Sequence, residues 1–117
     1  MAEGFANCYG SDVLRAESYG LAPVPHVPRT GILAMKEKNI DISNHFSRRY
    51  DPVKGRLADV VINMSDYPLP GVQPANLLEW KIVDPYGQSI EAFRKTRDVL
   101  EQKVMSLILQ LRRGVIL

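Results

Sequence analysis

The sequence predicts an α/β domain built on a parallel sheet. Strand-length apolar segments are separated along the chain by helical ones, the alternation that generates parallel sheets. The last quarter carries apolar residues at three- and four-residue spacing, the stripe of a packed helix. At 117 residues the chain has the size of one domain around one core, so 1–117 is expected to form a single unit.

The elements follow in order. Residues 1–8 (MAEGFANC) suit a helix ended by Gly10 and Ser11. Residues 13–19 (VLRAESY) have strand length and stop at Gly20. Pro23, Pro25 and Pro28 make 21–28 an extended loop. A helix is expected over 30–38, where Ile32, Leu33 and Met35 form an apolar face, punctuated by Asn39 and Asp41. A short helix over 43–49, capped by Ser43, is expected to break at Asp51-Pro52.

The β-branched run in 59–64 (DVVINM) fits a strand buried on both faces. A proline-rich loop covers 67–74. Residues 77–83 (LLEWKIV) read as the third strand, stopped by Asp84-Pro85. Residues 89–113 form the longest helix, capped by Ser89, with Phe93, Leu100, Val104, Leu107, Ile108 and Leu111 on its apolar face.

Composition excludes several classes. Hydrophobic residues are 45% and charged residues 24%, which argues against disorder. No apolar run approaches the roughly 18 residues that span a membrane. Residues 1–10 lack the basic-then-apolar pattern of a secretory signal. One cysteine, Cys8, forms no internal disulfide and fits the reducing cytoplasm. A net charge of +2 is too mild to argue for nucleic acid. No cofactor is expected, and neither nucleic acid nor membrane is expected as a partner.

Few residues suggest chemistry. His26 and His45 stand apart with no third ligand at metal spacing, so no metal site is expected. Cys8 has no adjacent basic residue to activate it. Arg48, Arg49, Lys54 and Arg56 make a basic cluster, read as a solvated face over an anion site. Asp84 differs because it ends an apolar strand, where parallel sheets bind ligands. A carboxyl there, followed by Pro85 and Tyr86, has the placement of a proton donor above a pocket. Asp84-Pro85 with Gly87 is also an effective turn, the favoured reading on spacing alone.

Four stretches together resemble the low-molecular-weight protein tyrosine phosphatase family, which includes the thioredoxin-coupled arsenate reductases. MAEGFAN (1–7) resembles its first helix. VPRTGILAMKEKNIDISNHFSRR (27–49) resembles its second helix and Gly-Ile-Asp-hydrophobic-Ser turn, with Asn39 for the glycine. ADVVINM (58–64) resembles the next strand, and WKIVDPYGQSIEAFRKTRDVLEQKV (80–104) the Asp-Pro acid loop and terminal helix. The stretch 64–80 is closer to the reductases. The resemblance implies a flavodoxin-like sheet with helices on both faces, Asp84 as general acid and Tyr86 as a substrate-binding residue.

The family's phosphate loop, Cys-x5-Arg-Ser/Thr, precedes the Met-Ala-Glu-Gly with which this sequence opens. Cys8 does not replace its nucleophile, because the next arginine is Arg15. Ser65 follows the 59–64 strand, and no cysteine follows Cys8 to resolve an oxidised nucleophile. The chain is therefore expected to be an inactive phosphatase-like protein, N-terminally truncated with three strands remaining. The alternative is a truncated form of an active phosphatase or arsenate reductase whose start lies upstream. The family's first strand lies between those matching 13–19 and 59–64. Without it, either those two strands pair directly or the chain associates with itself, aided by the apolar tail 114–117. Self-association is the expected outcome.

Overall fold

The computed structural model describes residues 1–24 and 26–114, so Pro25 and tail residues 115–117 lie outside the described part. The described residues form four helices and four short strands, in the order α1 (Ala2–Tyr9), β1 (Tyr19–Gly20), α2 (Arg29–Lys36), β2 (Arg48–Arg49), α3 (Pro52–Leu57), β3 (Val61–Asn63), β4 (Leu77–Glu79) and α4 (Ile90–Arg112). The strands form two parallel pairs, β1 with β2 and β3 with β4. In the second pair Val61, Ile62 and Asn63 face Leu77, Leu78 and Glu79.

The α/β class and parallel pairing agree with expectation; the strand inventory does not. Three strands are expected, and four short ones in two separate pairs are found. The strand expected over 13–19 shrinks to Tyr19–Gly20, because its backbone is engaged elsewhere. Gly10 O accepts from Val13 N and Leu14 N, both at 2.9 Å. The Asn7 side chain takes both polar groups of Ala16, accepting from its N–H at 2.8 Å and donating to its carbonyl at 3.0 Å. A side chain thus holds the ladder groups a neighbouring strand would use. Direct pairing of the 13–19 and 59–64 segments does not occur among the described residues.

The helix expected over 43–49 is also absent. Arg48–Arg49 is a strand, and the helix starts three residues later, where Asp51 accepts from Val53 N at 2.9 Å. Asp51-Pro52 is a helix start rather than a break: proline suits the first helical turn and aspartate the cap. Asn39 adopts a left-handed φ of 60°, which asparagine tolerates better than most residues.

The core gathers Phe5, Met35, Ile40, Ile42, Leu100, Val104 and Ile108 from α1, α2 with its exit turn, and α4. Gly10 permits the close approach of α1 to α4, since a Cβ there would stand 2.7 Å from Ile108 Cγ1. Ser89 caps α4 as expected, accepting from Ala92 N at 3.4 Å.

One place on the buried stripe of α4 holds a cation. Arg97 is 8% exposed. It donates to Ala34 O at 2.9 Å, Glu37 Oε1 at 2.6 Å and Asp98 Oδ1 at 2.9 Å. Burial opposes its charge, but the bonds to Asp98 and Glu37 outweigh that and hold its pKa above the ordinary arginine value. Glu37 also accepts from Arg94 Nη2 at 2.6 Å. Hydrogen bonds from Arg94 and then Arg97 lower the Glu37 pKa to about 2.

Folding lowers this pKa, so the unfolded chain takes up the proton first. The contribution of the α2–α4 clamp is complete above the ordinary glutamate value of about 4.3. It drains as pH falls toward 2. The expected result is a melting-temperature gap between wild type and Glu37→Gln that is widest at pH 7 and narrows steadily from about pH 4.3 to about pH 2.5. A gap constant across that range would refute the assignment.

Candidate active site

The loop between Glu79 and Ile90 leaves the carboxyl end of β4 and carries Asp84, Pro85 and Tyr86. Ligands of open parallel sheets sit beyond that end of the strands. Asp84 is exposed. Its Oδ1 accepts from Tyr86 N at 3.0 Å, and Gln88 N donates to Pro85 O at 2.9 Å. Gly87 takes a φ of 77° to complete the reversal. The expected turn is therefore real, and it occupies one carboxylate oxygen. Oδ2 accepts no hydrogen bond among the described residues.

Beneath this turn lies a cavity of about 170 Å³ lined by Met1, Val27, Pro28, Gly31, Ile42, Asp84, Pro85, Tyr86 and Phe93. Asp84 is the one carboxylate among them. The volume is close to the roughly 150 Å³ of an apolar cavity that holds one benzene ring. Gly31 sets its floor, as a Cβ there would approach Phe93 Cε1 to 3.3 Å. Met1 is the N-cap of α1, so the positive end of that helix opens on the same cavity as Asp84 and Tyr86.

The other sequence candidates lie elsewhere. Cys8 is exposed and does not line the cavity. His26 is exposed, and His45 Nδ1 lies 3.4 Å from Glu3 Oε2. No group of three His, Cys, Asp or Glu suited to a metal ion occurs among the described residues. Arg48, Arg49, Lys54 and Arg56 are exposed. Arg48 lies over the rings of Phe46 at 4.9 Å and Tyr19 at 5.7 Å, and its Nη1 stands 3.5 Å from Glu17 Oε2. No helix among the described residues is long and apolar enough to cross a membrane.

The family model for low molecular weight phosphotyrosine protein phosphatase matches residues 1–116. The chain belongs to this family. Among curated relatives of this phosphatase-family chain, the glutaredoxin arsenate reductase of Synechocystis is 36% identical over 115 residues, covering 92% of this chain and 85% of the relative. Arsenate reductase 2 of Staphylococcus saprophyticus is 34% identical over 116 residues, covering 89% and 82%. A solved arsenate reductase in the phosphate binding state matches with TM-score 0.83 and 34% identity over 94% of this chain and 86% of that one. Vibrio vulnificus Wzb in complex with benzylphosphonate shares the fold at TM-score 0.83 and 19% identity. The family's flavodoxin-like α/β architecture is thereby shown for this member.

Asp84 and Tyr86, singled out from sequence, share one cavity wall in this phosphatase-family domain. Sequence reasoning missed the apolar lining, which includes Val27, Pro28, Gly31 and Phe93. One signal was available. A glycine inside a helix costs roughly 0.5–1 kcal/mol relative to alanine, so Gly31 within RTGILAMK marks a close approach.

Proposed function

We propose that these residues form the acid-loop and substrate-wall part of a phosphatase-type site and are inactive on their own. Asp84 is the general acid, and Tyr86 flanks the aromatic part of a substrate. One observation carries this reading: the N-terminal end of α1, Asp84 and Tyr86 open on one cavity of about 170 Å³. An oxyanion at the helix end would lie beside the carboxyl that protonates a leaving oxygen. Composition supports the inactivity of these 117 residues taken alone. The lone cysteine, Cys8, has Leu14 where the Cys-x5-Arg pattern needs arginine, so no thiolate nucleophile is paired with a guanidinium clamp. In the alternative reading, the same residues are part of a longer, active phosphatase or arsenate reductase.

The 117-residue chain should show no measurable hydrolysis of p-nitrophenyl phosphate. Turnover abolished by Cys8→Ser would overturn this; turnover surviving both Cys8→Ser and Asp84→Asn would trace to a contaminant. Arsenate reduction, with or without thioredoxin, should likewise be absent, because this route ends in a protein disulfide that one cysteine cannot form internally. The same lone thiol supports placement in a reducing cytoplasm.

The chain is further proposed to associate with itself through its strand edges. Two-stranded sheets are marginal alone, and unpaired edges invite another chain. Light scattering coupled to size exclusion is expected to give a mass above that of one chain. A stable monomer at micromolar concentration would reject the association.

A further inference from the structure

Among the polar side chains of α4, Thr96 is 7% exposed, and its Oγ1 donates to Val83 O at 3.1 Å. A helical threonine commonly turns its hydroxyl back to a carbonyl three or four residues earlier. Here it reaches across to another element instead.

The destination gives this bond its meaning. The Val83 carbonyl belongs to the peptide group that carries the Asp84 nitrogen, so fixing that oxygen fixes the plane from which Asp84 departs. Over 81–88 the described residues offer only two other hydrogen bonds, Tyr86 N to Asp84 Oδ1 and Gln88 N to Pro85 O. Both lie within the turn. They shape it without locating it on the scaffold. Buried Pro85 adds an apolar contact, but Val83 is 76% exposed and Tyr86 is 59% exposed. The Thr96 hydroxyl is therefore the one hydrogen bond that docks this stretch onto the long helix.

We propose that Thr96 is a positioning residue for Asp84. It acts through the Val83 carbonyl, holding the peptide plane, while the Tyr86 N–H holds the carboxylate. The proposal rests on Asp84 being the acid of the site, whose use requires placement to about 0.5 Å. A misplacement of about 1 Å can cost roughly 10²-fold in rate.

The test compares Thr96→Val with Thr96→Ser in the full 117-residue chain, followed by NMR. Thr96→Val keeps the branched shape and removes the donor; Thr96→Ser keeps the donor. Thr96→Val is expected to speed amide exchange at Tyr86 by about tenfold or more and to move the resonance of the Asp84 amide nitrogen, which shares the peptide group of the Val83 carbonyl. Exchange at Leu100 and Val104 should stay at the wild-type rate. Thr96→Ser should restore both Asp84-loop signals. Unchanged Tyr86 exchange or an unmoved Asp84 amide nitrogen resonance in Thr96→Val would overturn the proposal. So would a uniform speeding of exchange along α4, which marks general destabilisation. These readouts report placement alone. The acid reading fails by a separate result, an Asp84→Asn substitution that leaves the rates of a catalytically equipped chain undiminished.

Discussion

Fusing a Cys-x5-Arg-Ser segment directly to Met1 is expected to produce a chain that hydrolyses aryl phosphates, and Asp84→Asn in that fusion to lower the rate by roughly 10²–10⁴-fold. The fusion would place a thiolate and a phosphate clamp at the end of α1, on the cavity that Asp84 and Tyr86 already line. The size of the Asp84→Asn effect should depend on the leaving group. A nitrophenolate departs with little help, whereas an alkyl oxygen needs its proton in the transition state, so the deficit should grow with the basicity of the leaving oxygen. Steady-state rates over a series of phosphate monoesters measure this. An Asp84→Asn fusion with undiminished rates on the most basic leaving groups would remove Asp84 from the mechanism. Tyr86→Ala should raise KM for aryl substrates more than for alkyl ones, as expected of a side chain that contacts the ring.

Phe5→Ala is expected to destabilise the domain by about 3–5 kcal/mol. Phe5 is fully buried, lies in one core cluster with Met35, Ile42 and Ile108, and has its ring centroid 5.6 Å from that of Tyr9. A domain of this kind has about 5–15 kcal/mol in all. At roughly 4 °C per kcal/mol for a chain near this size, the melting temperature should fall by about 12–20 °C. Calorimetry or circular dichroism measures it. A fall of under about 4 °C would mean that α1 contributes little to the folded core. Leu109→Ala, on the exposed side of α4, is the control and should change stability by less than about 0.5 kcal/mol.

The long helix and the Asp84 turn were legible in the sequence because each rests on local physics. A capping serine and a three- and four-residue apolar period define α4, and Asp-Pro with a following glycine defines the turn. The strands were less legible. In 13–19 the local pattern favours extension, but the Asn7 amide takes the Ala16 backbone from another element, which no period reveals. At Asp51-Pro52 the signal was present and admits two opposite meanings, since proline ends one helix and starts the next. The burial of Arg97 and Thr96 was out of reach, because partners as far as 63 residues away along the chain satisfy them. The same holds for the cavity: its acid wall is a contiguous motif, while its apolar wall is assembled from α2 and α4.

The packing of α1 against α4 has a consequence for how the protein is made. Tyr9 donates to Glu101, and Arg112 donates to the Tyr9 carbonyl and to Asp12, across sequence separations of 92, 103 and 100 residues. Synthesis proceeds at about 5–20 residues per second, so α1 emerges roughly 5–20 s before its partner helix is complete. Throughout that interval Phe5 and the apolar face of α2 have no lid. A chain that ends before α4 therefore leaves its hydrophobic centre open to water.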